Sequence, residues 1–434
     1  MRYYSTRNKK SFTSFENAVI KGLAPDGALY MPERIPQLSK QFFNNIASLS
    51  DSEIAFNVAS ALFSDDIPQA ELQQIVEQTV SFPCEVNQVE KDIYALELFH
   101  GPTLAFKDFG ARFMSRVLRH IVSNKKDSRA VNVLVATSGD TGSAVANGFL
   151  DVEGVNVYVL YPKNKVSKAQ EAQFATLGNN IMAIEVNGTF DDCQRIVKEA
   201  FANKELNQRH FLTSANSINV ARLLPQTFYY FIAFARLVQH NIENNIVISV
   251  PSGNFGNITA GVIAMMMGMP VKKFIAANNA NDVFYQYLIT AKYEPRKSIE
   301  TLANAMDVGN PSNFERLLEL LNNHKGIKKI ISSVSVSDNE IIETIRTCYN
   351  NTGYMLDPHG ACAYYAIKKL KNTNSKGLFL ETAHPAKFKE TVEKAINKTI
   401  PQHPVLQEFM KRKKISYPIQ PVLDEIIEIL DNKN

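Results

Sequence analysis

Apolar positions change rhythm near residue 93. Before it, over 39–63 and 68–80, they recur at three- and four-residue spacing, which predicts amphipathic helices separated by Pro and Asp. The stretch GLAPDGALYMP at 22–32 holds two glycines and two prolines, so turns rather than a helix order it. Beyond residue 93, short β-branched runs alternate with helical stretches. The runs at 131–137, 155–161, 181–186, 246–250 and 378–382 predict buried parallel strands. Helices are predicted between them at 110–123, 167–177, 190–203, 220–240 and 257–268. Such alternation means an α/β fold, a parallel sheet covered on both faces. The chain shows no internal repeat, and the basic run 411–414 reads as a solvated helix face.

Composition narrows the class. At 434 residues the chain is long enough for two to four domains. Its 45% hydrophobic and 21% charged residues exclude a disordered polyelectrolyte. Lysine plus arginine exceeds aspartate plus glutamate by only 47 to 43, so no nucleic-acid footprint is expected. Cys84, Cys193, Cys348 and Cys362 form no C-x-x-C pair, and the eight histidines form no zinc motif, so no metal is expected. The start, MRYYSTRNKKSF, lacks the apolar core of a signal peptide, and the longest apolar stretch, near 261–271, is too short to span a bilayer. The expectation is a soluble cytoplasmic protein with no membrane partner.

Two predicted strands run into glycine loops and then helices: VATSGDTGSA at 135–144 and VPSGNFGN at 250–257. Ligands of open α/β sheets bind at the carboxyl ends of strands, where glycines let backbone N–H groups approach an anion and the next helix adds positive character. No two glycines stand two positions apart and no Gly-Lys dipeptide occurs, which excludes G-x-G-x-x-G and Walker A loops. Monophosphates or carboxylates fit these loops better than a dinucleotide does. A third element, LFHGPTLAFKDFGARF at 98–113, sets Lys107 in an apolar segment that opens a helix. A desolvated lysine has a lowered pKa and forms imines. Together with a glycine-rich phosphate loop, that is what pyridoxal phosphate requires.

These segments resemble those of the threonine synthases, pyridoxal-phosphate enzymes of the tryptophan-synthase-β fold type. The resemblance runs through GLAPDGALYMP (22–32), FHGPTLAFKDFG (99–110), TSGDTGS (137–143), YPKNKVS (161–167), SANSINVARLLPQ (214–226), PSGNFGN (251–257), DPHG (357–360) and ETAHPAKF (381–388). The lysine segment and the serine-glycine loop are shared across the fold type. FHGPTLAFKD, NSIN-x-AR and GLAPDG together single out this family, in its long-chain branch.

The resemblance implies a two-lobed catalytic unit at 93–434 behind a mainly helical domain at 1–92. Its smaller lobe would span roughly 111–240, and its larger lobe roughly 93–110 and 241–434. Lys107 would carry the cofactor. Gly253, Asn254, Phe255, Gly256 and Asn257 would wrap its phosphate, and Thr382 would meet its ring nitrogen. The implied reaction takes O-phospho-L-homoserine and water to L-threonine and phosphate, by loss of phosphate from Cγ and addition of water at Cβ. Ser138, Gly139, Asp140, Thr141, Gly142 and Ser143 would receive the substrate carboxylate. Arg112, Lys163 and Arg222, with Ser217 and Asn219, are the candidates for its phosphate. Many relatives carry Asn where this chain has Asp140, an amide that contacts the cofactor 3′-oxygen. Aspartate there would oppose a phenolate, and Asn216 and Asn254 are alternative contacts. His100, His359 and His384 are expected to be structural, with His384 walling the cofactor site. The resemblance also implies a monomer. Competing readings are another lyase of the fold type, such as a threonine dehydratase, and a non-catalytic protein that kept the fold.

Overall fold

The computed structural model describes residues 1–124 and 129–432. An antiparallel three-stranded sheet opens the chain, built from β1 (Arg2–Ser5), β2 (Phe12–Ser14) and β3 (Tyr30–Pro32) in the order β2-β1-β3. Short strands of this kind show too little alternation to read from sequence, so the expected helical character of this region is incomplete. Its helices do form, at Lys40–Asn45, Asp51–Phe63 and Gln69–Thr79. The expected helix at 39–63 breaks because Ser50 and Glu53 close a capping box that starts a new helix.

Two larger sheets follow. One uses β4 (Glu85–Glu90), β5 (Ile93–Glu97), β10 (Ile246–Pro251), β11 (Val271–Asn278), β12 (Ile331–Ser335) and β13 (Lys376–Glu381). Its order is β12-β11-β10-β13-β5-β4, parallel except for the antiparallel edge strand β4. The other joins β6 (Val131–Ala136), β7 (Val155–Pro162), β8 (Ile181–Val186), β9 (Phe211–Ser214) and β14 (Ser416–Ile419), all parallel, in the order β14-β8-β7-β6-β9. The expected α/β class is therefore observed. Two lobe edges lie elsewhere than expected. The boundary at residue 92 falls inside the β4–β5 hairpin, and β14 returns from the carboxyl end of the chain to the smaller lobe's sheet.

Period-two alternation explains why these strands read as continuous apolar runs. Val133 and Val135 of β6 and Val157 and Val159 of β7 face the central core, while Leu134, Tyr158 and Leu160 face a second core. In the other sheet Ile248, Phe274 and Leu378 join the same central core, while Val247, Ile275 and Phe379 face a third. One shared core thus cements both lobes, with helices Lys107–Ser123 and Thr227–Gln239 inside it. The expected helix at 220–240 is split at a 3-10 turn, Leu224–Gln226, because Pro225 has no N–H to continue the ladder. Among the described residues no helix is long and apolar enough to cross a membrane.

Candidate active site

Carboxyl ends of strands from both sheets converge on one cleft, whose empty space is about 950 Å³ with the open solvent at its mouth included. Its walls include Lys107, Ser138, Asp140, Thr141, Ser217, Arg222, Thr382 and all five residues 253–257. Two candidate loops and the candidate lysine, separated by up to 150 positions in sequence, are brought together here.

Lys107 is the first residue of its helix. The preceding turn is pinned to the end of β13: Phe106 N donates to Thr382 O at 2.9 Å, and His384 N donates to Leu104 O at 3.0 Å. The Lys107 ammonium lies 5.0 Å from the Phe106 ring centre and 3.8 Å from Asp140 Oδ2. Burial pushes its pKa below the ordinary lysine value; Asp140 opposes that, and Lys387 and Arg222 add to it. The amine is thus poised to lose its proton, as an imine-forming lysine must.

The turn after β10 leads straight into helix Gly256–Met266. Asn257 Nδ2 donates to Pro251 O at 2.8 Å and closes the turn, and Phe255 adopts a left-handed conformation at its apex. The first amides of a helix have no intrahelical acceptor, so they are available to an anion. Gly253 is required by closeness: a Cβ there would stand 2.7 Å from Ala305 O and 3.0 Å from Met306 Cα. Backbone close to the cleft at Gly253 and Gly256, with helix-start amides beside it, is chemistry that fits the phosphate of pyridoxal phosphate.

The loop after β6 is built differently from the expected carboxylate cradle. Gly139 has φ +140°, and Gln170 packs where its Cβ would be, 2.4 Å from Cδ. Ser143 Oγ is buried on Gly139 O and Gln170 O, both at 3.2 Å, and Gly142 packs on Thr137. Ser138, Asp140 and Thr141 face the cleft, whereas Gly139, Gly142 and Ser143 shape the loop. Asp140 accepts from Lys387 Nζ at 2.7 Å and from Gln170 Nε2 at 2.8 Å. Burial alone would raise its pKa, yet the Lys387 and Lys107 ammoniums outweigh burial and hold the carboxyl well below the usual range.

Of the cationic candidates, only Arg222 reaches the cleft. It is 4% exposed, its guanidinium donates to Ala215 O, and its Nε has no partner among the described residues. Burial pulls its pKa down to about 10, with Asp108 opposing. Arg112 instead donates to Gln78 O at 3.0 Å and Ser81 Oγ at 2.9 Å. Lys163 is half exposed, with its Nζ 3.8 Å from Glu185. Asn219 is fully buried, where it caps a helix turn and donates to Val19 O at 2.8 Å. None of these three lines the cleft.

Sequence reading also missed several lining residues: Phe190, Gln226, Met306, Asp307 and Val308. The segment 305–308 sits in an irregular stretch that carries no motif. Asp307 anchors it by accepting from Asn279 Nδ2 at 2.8 Å, Asn281 Nδ2 at 3.1 Å and Thr301 Oγ1 at 2.7 Å. His359 lines the cleft and holds the same stretch, since its Nε2 accepts from Ala305 N at 3.2 Å. That bond places the imidazole proton on Nδ1, facing Asp357 Oδ1 at 2.5 Å. His384 is not among the lining residues; its Nδ1 caps a 3-10 turn through Ala386 N at 3.1 Å.

Comparison with known proteins agrees with this geometry. Residues 75–379 match the model of the family described as pyridoxal-phosphate dependent enzyme. Residues 2–80 match threonine synthase N terminus, and 360–427 match threonine synthase, C-terminal. The chain is 45% identical to the threonine synthase of Haemophilus influenzae over 92% of both chains. It is 44% identical to that of Escherichia coli, again over 92% of each. The crystal structure of the Escherichia coli threonine synthase superposes with a TM-score of 0.94 at 41% identity, covering both chains completely. The pyridoxal-phosphate-bound threonine synthase of Brucella melitensis superposes at 0.93 with 31% identity, over 100% of this chain and 99% of that one.

Proposed function

The chain belongs to the threonine synthase family of pyridoxal-phosphate-dependent enzymes, and from that premise we propose how its cleft divides the work of converting O-phospho-L-homoserine and water into L-threonine and phosphate. The cofactor, when bound, supplies an electron sink that makes the substrate's Cα and Cβ protons removable. Everything else falls to the chain.

Lys107 would hold the cofactor, and its amine would move protons at the substrate's Cα and Cβ. Its burial suits that task, because a general base works best with a pKa near the working pH. The turn Gly253–Asn257 holds the cofactor phosphate, and the Thr382 hydroxyl meets the ring nitrogen without protonating it. The backbone and hydroxyls of Ser138 and Thr141 hold the substrate carboxylate. Arg222 and Ser217 hold the phosphate that leaves. The narrow walls formed by Phe106, Phe190 and Met306 exclude water until phosphate has departed. A monomer and a cytoplasmic compartment are what the resemblance implies.

One observation carries this assignment of residues. A desolvated lysine, a bare-backbone phosphate cradle and an arginine with an unpartnered nitrogen share a single cleft. The holoenzyme is expected to release phosphate and threonine in equal amounts from O-phospho-L-homoserine. Formation of 2-oxobutyrate from threonine as the main activity would overturn the reading.

A further inference from the structure

Lys387 is the second lysine of the cleft's charge cluster, and neither the sequence motifs nor the proposed chemistry gives it a task. Its side chain is fully buried, rare for a lysine. It stands on the 3-10 turn Pro385–Phe388, just beyond β13 of the larger lobe. Asp140 begins the helix Asp140–Phe149 of the smaller lobe. The Lys387 ammonium bridges the two, 2.7 Å from Asp140 Oδ1 and 2.8 Å from Thr103 O. Gln173 Nε2 reaches the same Thr103 carbonyl at 3.1 Å, and Gln170 Nε2 donates to the same Asp140 oxygen, Oδ1, at 2.8 Å.

The geometry points to Lys387 as a positioning residue: its charge neutralises Asp140, so that the smaller lobe presents a fixed, uncharged pair beside Lys107 where many relatives present an amide. This rests on the reading of Lys107 as the cofactor's anchor. A lone carboxylate 3.8 Å from the Lys107 nitrogen would hold a proton there and would repel the cofactor's phenolate edge. A buried ammonium bound to its other oxygen, Oδ1, offsets both effects. The other charges that bear on Lys107 are Arg222, which favours proton loss, and Asp357, which opposes it, and neither touches the pair. Lys387 is also tied to the larger lobe's turn, so the pair fixes the substrate loop to the lobe that carries the cofactor.

The test titrates the visible absorbance of the cofactor–lysine linkage in the holoenzyme. Lys387→Met exposes the Asp140 charge, and the linkage is expected to keep its proton to higher pH, by about one unit or more. Asp140→Asn removes the attraction and is expected to move the midpoint down. The double variant Asp140→Asn with Lys387→Met removes both charges and is expected to return it to the wild-type value. A purely packing role for Lys387 would cost stability and leave the midpoints in place. Unmoved midpoints in either single variant, or a double variant that fails to return, would overturn the proposal. Should Lys387→Met not fold, Lys387→Gln, which keeps a donor for Thr103 O and loses the charge, takes its place with the same upward shift expected and an unmoved midpoint as the refuting result. Mapping the lysine that holds the cofactor separates the two readings: label away from Lys107 removes the premise and the proposal with it, whereas label on Lys107 with unmoved midpoints overturns the proposal alone.

Discussion

Replacing Arg222 by methionine should leave the protein as stable as before while disabling it. Arg222 is 4% exposed, and burial brings its pKa from 12.5 to about 10. That difference corresponds to about 3 kcal/mol spent keeping a charge out of water. The guanidinium recovers part of it by donating to Ala215 O, a charge-assisted bond worth roughly 1.5–3 kcal/mol. Methionine keeps an unbranched apolar stem and removes both terms. The net change in unfolding free energy is therefore between zero and a gain of about 2 kcal/mol. Function moves the other way. Two charge-assisted bonds to a phosphate, at roughly 1.5–3 kcal/mol each, amount to a 10²- to 10⁴-fold loss of kcat/KM for O-phospho-L-homoserine. Urea denaturation of the ligand-free protein and steady-state kinetics read the two effects. A variant that is several kcal/mol less stable with unchanged kcat/KM would refute the reasoning, because Arg222 would then be a structural group.

Gly253→Ala places a Cβ 2.7 Å from Ala305 O, a backbone atom that cannot rotate away, so cofactor affinity should fall at least tenfold in equilibrium dialysis; unchanged affinity would remove the turn from the cofactor site. His384 has a pKa lowered to about 4 by burial and by the neighbouring His403 and His100, with Glu97 and Asp357 opposing. The unfolded chain therefore takes a proton near pH 6.5 that the folded chain refuses, and stability should fall by on the order of 3 kcal/mol between pH 6.5 and 4. His384→Asn, which retains a capping oxygen, should flatten that part of the profile in urea titrations; an unchanged slope would contradict it. Glu381 is fully buried, and burial, with Asp357 beside it, raises its pKa well above 4.5. The folded state keeps this proton where the unfolded chain loses it, so Glu381→Gln should stabilise the protein at pH 8 and do less at pH 5. A loss of stability at pH 8 would show that the carboxyl is ionised in the fold.

Much of this molecule was legible in its sequence. Strands β6, β7, β8, β10 and β13 were readable because a strand buried on both faces is apolar at most of its positions. The opening sheet was not, since three- and four-residue strands carry no period, nor was β14, where Pro418 and exposed Tyr417 hide an edge strand. Loops with glycine punctuation announced the cofactor cradle. Charge partners stayed hidden, because sequence supplies charge but not distance. Arg112 and Lys163 had the right chemistry in motif segments, and yet Arg112 reaches the Gln78 carbonyl and the Ser81 hydroxyl, and Lys163 the Glu185 carboxylate. Lys387, within the quoted segment ETAHPAKF, looked like any other lysine until the fold set it against Asp140. The aspartate in place of an amide was the one trace in the sequence that such a partner was needed.

The central claim is that Lys107, rather than any other lysine, carries the cofactor in this cleft. Borohydride reduction of the holoenzyme, followed by peptide mapping by mass spectrometry, tests it directly, and Lys387 in the same cluster makes the test discriminating. The account expects all of the fixed cofactor on the peptide containing Lys107; fixed cofactor on Lys387, or on a lysine outside the cleft, would contradict it.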